Sequence, residues 1–188
     1  MMTTPGFFTP FKRIVLHFPE NEPYGLRSID DSFPVTPELQ QEIVAICNEP
    51  LIYNRLFRER MQGQPYGLEN VKYFLSWAQE GWRTNGWFVF LVLDPLGHAV
   101  AAIDIKSNNT DDAEIGYWAS SKSRGIMTNT VIALCESAKT AGFRRLYAMV
   151  APDNAQSIGV VTRADFKAAG NAIRDGHPYL RFNKDLTN

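Results

Sequence analysis

Apolar and polar positions change period several times along this 188-residue chain. Apolar residues at 13–18 predict a short edge strand, and residues 24–29 a strand that opens the main domain. Thr36-Pro37-Glu38 then has the marks of a helix start. Threonine suits the N-cap, proline fits the first turn, and an acidic side chain meets the positive end of the helix dipole. Leu39, Ile43 and Ile46 fall on one face of that helix. Pro50 interrupts the pattern, and residues 51–61 predict a second, shorter helix. Gly63-Gln64-Pro65-Tyr66-Gly67 is loop chemistry. Leu68, Val71, Leu75, Ala78 and Trp82 then mark a longer amphipathic helix.

Beyond Asn85-Gly86 the period shortens. Residues 87–93 form a continuous apolar and aromatic run, and 99–105 return after the turn Asp94-Pro95-Leu96-Gly97, so the two runs predict a hairpin. After a polar loop at 107–112, residues 113–118 give a further strand. A helix follows over 125–141, with Val131, Leu134 and Ala138 on one face and Gly142 as its stop. Residues 146–150 read as a strand and 154–164 as a helix. Strands at 167–173 and 179–186 flank Asp175-Gly176, a strong hairpin signal. This order predicts a mixed α/β (α+β) fold around one central sheet. Residues 1–23 form an N-terminal extension carrying the edge strand, and 24–188 a single domain.

Composition narrows the function. Nineteen Lys and Arg against twenty Asp and Glu leave a net charge of -1, without the basic stripe of a nucleic-acid binder. No apolar run approaches the roughly 20 residues that span a bilayer. The first residues lack the basic and apolar regions of a signal peptide, so the expected compartment is the cytoplasm. Cys47 and Cys135 lie in apolar, helix-like stretches, as reduced core thiols do. His17, His98 and His177 lack metal-ligand spacing, and no metal is expected. Trp77, Trp82, Trp87 and Trp118 read chiefly as core. Neither G-x-G-x-x-G nor G-x-x-x-x-G-K-[ST] occurs.

The most informative stretch is Ala113-Glu114-Ile115-Gly116-Tyr117-Trp118, then a short polar, basic loop, then Arg124-Gly125-Ile126-Met127-Thr128 opening a helix. Amides at a helix N-terminus attract anions, and Lys122 and Arg124 add two cations. A pyrophosphate suits that place; an ordinary strand-to-helix connection has the same spacing.

This string resembles the acetyl-CoA loop of the GNAT-superfamily N-acetyltransferases, in particular the RimJ/RimL branch. Asn48-Glu49-Pro50, Gly142-Phe143-Arg144-Arg145-Leu146 and Pro152-Asp153-Asn154-Ala155-Gln156-Ser157 resemble further family motifs in the family order. The likeness runs from about Tyr24 to the C-terminus. It departs in a loop about two residues short between Trp118 and Ile126, and in Asp165 where the family commonly has glycine. The resemblance implies a mostly antiparallel sheet flanked by helices and acetyl-CoA as cosubstrate. Trp118 and Ala119 would pair with the pantetheine; Lys122, Ser123, Arg124, Gly125, Ile126, Met127 and Thr128 would hold the pyrophosphate; Asn154 and Ser157 would face the thioester end. Glu114 is the first candidate base and Asp104 the second, with Ser157 on the thiolate side. The acceptor implied is a primary amine, on a protein N-terminus or a small molecule, with some tryptophans lining its pocket. No nucleic acid or membrane partner is expected, and the chain would be a monomer or homodimer. The alternative is a GNAT-fold module that holds or senses CoA without turnover, or no longer binds it.

Overall fold

In the computed structural model, which describes residues 4–187, eight strands form one sheet in the order β1-β2-β3-β4-β5-β6-β8-β7. They are β1 (Lys12–His17), β2 (Glu22–Ser28), β3 (Phe88–Leu93), β4 (Ala99–Ile105), β5 (Ala113–Ala119), β6 (Arg145–Val150), β7 (Lys167–Arg174) and β8 (His177–Asp185). Neighbours run antiparallel except β5 and β6, which are parallel. The mixed, mostly antiparallel sheet is the one expected.

Helix α1 (Pro37–Cys47) packs on one face of the sheet with α3 (Leu68–Thr84). Helices α4 (Ile126–Thr140) and α5 (Ala155–Arg163) cover the other. β3 is buried along its whole length, which is why it reads as an unbroken apolar run. From Ala101 on, alternate residues of β4 enter opposite cores, Ala101, Ile103 and Ile105 facing α4 and Ala102 facing α1 and α3, while the irregular pairing at Val92/Leu93 puts Ala99 with the latter. Thr36 caps α1, its hydroxyl oxygen accepting from the Leu39 N–H at 3.2 Å. The α3 face is as patterned at Val71, Leu75, Ala78 and Trp82, whereas Leu68 at the first turn is partly exposed. The Trp82 indole N–H donates to the Val89 carbonyl at 2.8 Å and so ties α3 to β3.

The second helix differs from expectation. A single turn, α2 (Pro50–Ile52), widens directly into a π-helical turn over Tyr53–Phe57, closed by the Arg58 N–H on the Tyr53 carbonyl at 2.8 Å. Gln62 and Gly63 then take left-handed angles, φ 52° and 80°, which end any helix before residue 61. Wide turns of this kind re-aim side chains, and here Leu56 and Arg55 are delivered to the edge of a cleft.

Before β1 the chain is also pinned. Phe7 inserts among Trp82, Phe88, Phe90 and Phe143, with ring centres 4.8 to 6.0 Å apart. Cys47 and Cys135 are free and buried in the two separate cores, and burial pushes both thiols up to about 12. None of the described helices is long and apolar enough to cross a membrane.

Candidate active site

The parallel pairing of β5 with β6 stops early. Ala113, Glu114 and Ile115 pair with Leu146, Tyr147 and Ala148, and no pairing continues beyond them. Past Ile115 the two strands splay, and the β5 edge from Gly116 to Ala119 faces open space. A cleft of about 420 Å³ fills the gap, walled by Tyr117, Trp118 and Ala119 of β5, by Asn154 and Ser157 of α5, and by Leu51 and Arg55.

At one end of this cleft the chain turns from β5 into α4. A short 3₁₀ turn, Ser121–Ser123, leads to Gly125 at the N-cap, and no side chain caps the helix. The first amides of α4 therefore point outward without a partner one turn back. Ser123, Arg124, Gly125 and Met127 lie on the cleft wall. Ile126 is fully buried beneath it, and Lys122 is exposed beside it. Thr128 is reached from the side: its hydroxyl accepts from the Arg163 guanidinium at 3.2 Å. Arg163, from the last turn of α5, is thus a further cation on this wall, and the sequence reading missed it.

Glu49 was singled out only as part of a motif, and its work is structural. Its carboxylate accepts from the Ser120 hydroxyl at 2.6 Å and the Ser121 N–H at 2.7 Å, fastening the start of α2 to the loop. Burial pushes its pKa upward, but those hydrogen bonds outweigh it and hold the carboxyl below its usual range. Asn48, beside it, bonds both the N–H and the carbonyl of Tyr66. On the opposite lip Arg55 meets Asp153 at 3.0 Å.

The two candidate bases share the sheet face covered by α1 and α3 but have different surroundings. Glu114 is buried and doubly paired, to Lys106 at 2.6 Å and to Arg174 at 2.9 and 2.5 Å. Burial raises its pKa, yet the Arg174 and Lys106 bonds prevail and bring it down to about 2. A carboxylate so held is a weak proton acceptor. Asp104 has one anchor, accepting from the Gly116 N–H at 2.9 Å, and it lines a separate cavity of about 510 Å³. Burial pushes its carboxyl up to about 6, against the pull of Lys106 and the Gly116 amide. Gly116 leaves room for both groups: a Cβ there would lie 2.9 Å from Lys106 Cε and 3.0 Å from Asp104 Oδ1.

Tyr117 borders both cavities, with its hydroxyl donating to the Ser157 carbonyl at 3.4 Å. Asn154 caps α5, its side-chain oxygen accepting from the Ser157 N–H at 3.1 Å. Asp165 follows α5 at φ 65°, the left-handed position that explains why glycine suits this place. Among the described residues no cluster suited to a metal ion occurs.

The Glu114 cluster yields a stability prediction. Because its folded pKa lies below the unfolded value, near 4.5, its contribution is present above that pH and lost as pH falls towards 2. Glu114→Gln is expected to cost about 1–3 kcal/mol at pH 7, the scale of lost hydrogen bonds to charged groups. In thermal melts the gap from wild type should narrow between about pH 5 and pH 3. A gap independent of pH would show that the carboxylate's charge is not what stabilises the fold.

A family model for the acetyltransferase (GNAT) domain matches residues 34–167. The chain belongs to the GNAT acetyltransferases. No curated protein matches this GNAT domain. Among solved structures it is similar to Mycobacterium smegmatis RimJ in complex with CoA-disulfide, at 20% identity over 97% of this chain and 90% of that one, with TM-score 0.71. It is also similar to the RimL ribosomal L7/L12 alpha-N-protein acetyltransferase, at 19% identity, 92% and 98% coverage and TM-score 0.71. A putative ribosomal-protein-serine acetyltransferase from Vibrio cholerae matches at 16% identity, 95% and 99% coverage and TM-score 0.72. The GNAT domain is thus RimJ/RimL-like in fold.

Proposed function

We propose that this GNAT domain is an acetyl-CoA-dependent N-acetyltransferase acting on a primary amine, with the splayed edge of β5 as the observation that carries the reading. A sheet edge left without partners needs something to pair with, and Tyr117, Trp118 and Ala119 border a cleft whose wall includes the start of an uncapped helix. Trp118 and Ala119 would pair with the pantetheine. The α4 amides with Lys122, Arg124 and Arg163 would hold the phosphates. The short loop still offers these groups, so it fits the cosubstrate.

When bound, acetyl-CoA supplies a thioester carbonyl for the amine to attack, the C–N bond forming as the C–S bond breaks and CoA leaving as its thiol. Asp104, rather than Glu114, fits the task of taking the amine proton: it borders a cavity that shares Tyr117 and Trp118 with the cleft, and its pKa near 6 leaves it ionised yet basic at neutral pH. Ser157 would serve the protonation of the departing thiolate; it lines the cleft, and Tyr117 beside it bonds its carbonyl. Lys106 and Arg174 hold Glu114, which orders the β5 edge that the cosubstrate pairs with.

Thermal melting with millimolar acetyl-CoA or CoA tests the cleft. A ligand at about 100 times its Kd adds roughly 2.7 kcal/mol, several degrees for a chain this size. Thiol release in the presence of an amine panel then tests turnover. A thermal shift without thiol release from any amine would support a CoA-holding module instead, and no shift would remove the cofactor.

A further inference from the structure

The cavity that Asp104 borders is unusual in its lining. Tyr66, Tyr73, Phe74, Trp77 and Trp118 provide aromatic walls, and α3 supplies three of these five rings. Its volume, about 510 Å³, lies in the range of small-molecule sites. Three charged side chains complete it: Asp104, Lys106 and Arg60.

Their pairing differs. Lys106 is engaged by Glu114 at 2.6 Å. Asp104 is anchored at one oxygen by the Gly116 amide, leaving acceptor capacity on the carboxylate. Among the described residues Arg60 has no ion-pair or hydrogen-bond partner, although its charge is felt by the Tyr66 hydroxyl. A guanidinium offers five donors in a planar fork that suits a carboxylate or phosphate. The cavity thus presents an ammonium-binding carboxylate, an apolar aromatic body and an unanswered cation.

Charge then separates the classes of amine. A polyamine would bring its second ammonium towards Arg60 and Lys106 and be repelled. A plain apolar amine would fill the aromatic walls and satisfy Asp104 but leave Arg60 without a partner. An amine that also carries an anion answers all three.

We propose that this cavity takes a primary amine on an aromatic-sized apolar body that also bears an anionic group, as a free aromatic α-amino acid does. Its use as an acceptor rests on the acetyl-transfer reading above. The ammonium first gives one proton to Asp104; its nitrogen then bonds to the acetyl carbon as the C–S bond breaks, and the second proton it loses balances the one the departing sulfur takes up on the Ser157 side.

The test compares phenylalanine, phenethylamine, spermidine and the dipeptide amide Phe-Ala-NH₂ in a thiol-release assay with acetyl-CoA. Calorimetric titration of phenylalanine and phenethylamine runs in parallel and needs no turnover. A charge-assisted contact is worth about tenfold to a hundredfold, so phenylalanine should exceed phenethylamine in kcat/KM and affinity by at least about tenfold. Spermidine should be the poorest. Arg60→Ala should bring the ratio near one, and Arg60→Lys should keep part of it. Arg60 is exposed, so neither variant endangers the fold.

Equal or better use of phenethylamine, spermidine or the dipeptide amide would overturn the assignment. So would equal binding of phenylalanine and phenethylamine to wild type. If no amine releases thiol while phenylalanine still binds through Arg60, the acetyl-transfer reading falls and the ligand class stands.

Discussion

Replacing Asp104 by asparagine is expected to lower kcat/KM at pH 7 by about a hundredfold or more, the usual scale for losing a general base. The pH profile carries the sharper information. A base must be ionised to accept a proton, so with a pKa of about 6 the wild-type kcat/KM should climb through that pH and flatten above it. Asp104→Asn should remove this limb. Were Glu114 the base instead, its pKa of about 2 would put the limb far below any working pH. The profile would then be flat near 6, apart from titration of the amine itself. An unchanged limb near pH 6 in Asp104→Asn would take the proton-accepting role away from this residue. The same raised pKa also acts on stability, with the opposite slope to Glu114. A carboxyl that binds its proton more tightly when folded favours the fold below pH 4 and loses that contribution as pH rises through about 6. Asp104→Asn should therefore be no less stable than wild type at neutral pH, which separates a catalytic loss from an unfolded sample.

Much of this architecture could be read in the chain because local chemistry and tertiary role agree. The unbroken apolar run of β3, the Thr36 cap, the Asn154 cap and the Asp175-Gly176 turn each specify their element within a few residues. Strand alternation also carried half of the site: Asp104 and Lys106 share a face, as do Glu114, Gly116 and Trp118, and the register sets Asp104 against Gly116. What could not be read is the company each charge keeps. Arg174 lies 60 positions from Glu114 and reaches it only because the last hairpin folds against β6. No periodicity announces such a pairing, and without it Glu114 resembles an available base. Arg163 and Arg60 are ordinary helix-end and turn cations until the fold sets each beside a cavity. The π-helical turn escaped for a different reason: its residues suit an α-helix, and nothing in their pattern marks the wider turn at Tyr53–Phe57.

Gly125→Ala should cost about 3 kcal/mol and lower the melting temperature by roughly 10 °C. Two effects add. The backbone sits at φ 105°, where a side chain is strained by about 1–2 kcal/mol. A Cβ would also fall within the van der Waals shell of the Phe18 carbonyl oxygen, a backbone atom that cannot swing aside. Gly142 supplies the comparison: its φ is 99°, and nothing lies within 4 Å of its would-be Cβ. Gly142→Ala should therefore show the strain alone, and the difference between the two variants measures the clash with the hairpin. The outcome also decides what the glycine is for. Its hydrogen-only side faces Phe18, so the close approach it permits is that of the β1–β2 hairpin, which Asn129 also holds by donating to the Leu16 carbonyl at 2.7 Å. The hairpin would then brace the first turn of α4 from outside while the phosphates bind from the cleft. If the absent Cβ instead served the ligand, Gly125→Ala would melt no lower than Gly142→Ala and lose only the increment that CoA adds. A full drop without CoA present places the hairpin, and residues long before the cleft, in the support of the anion site.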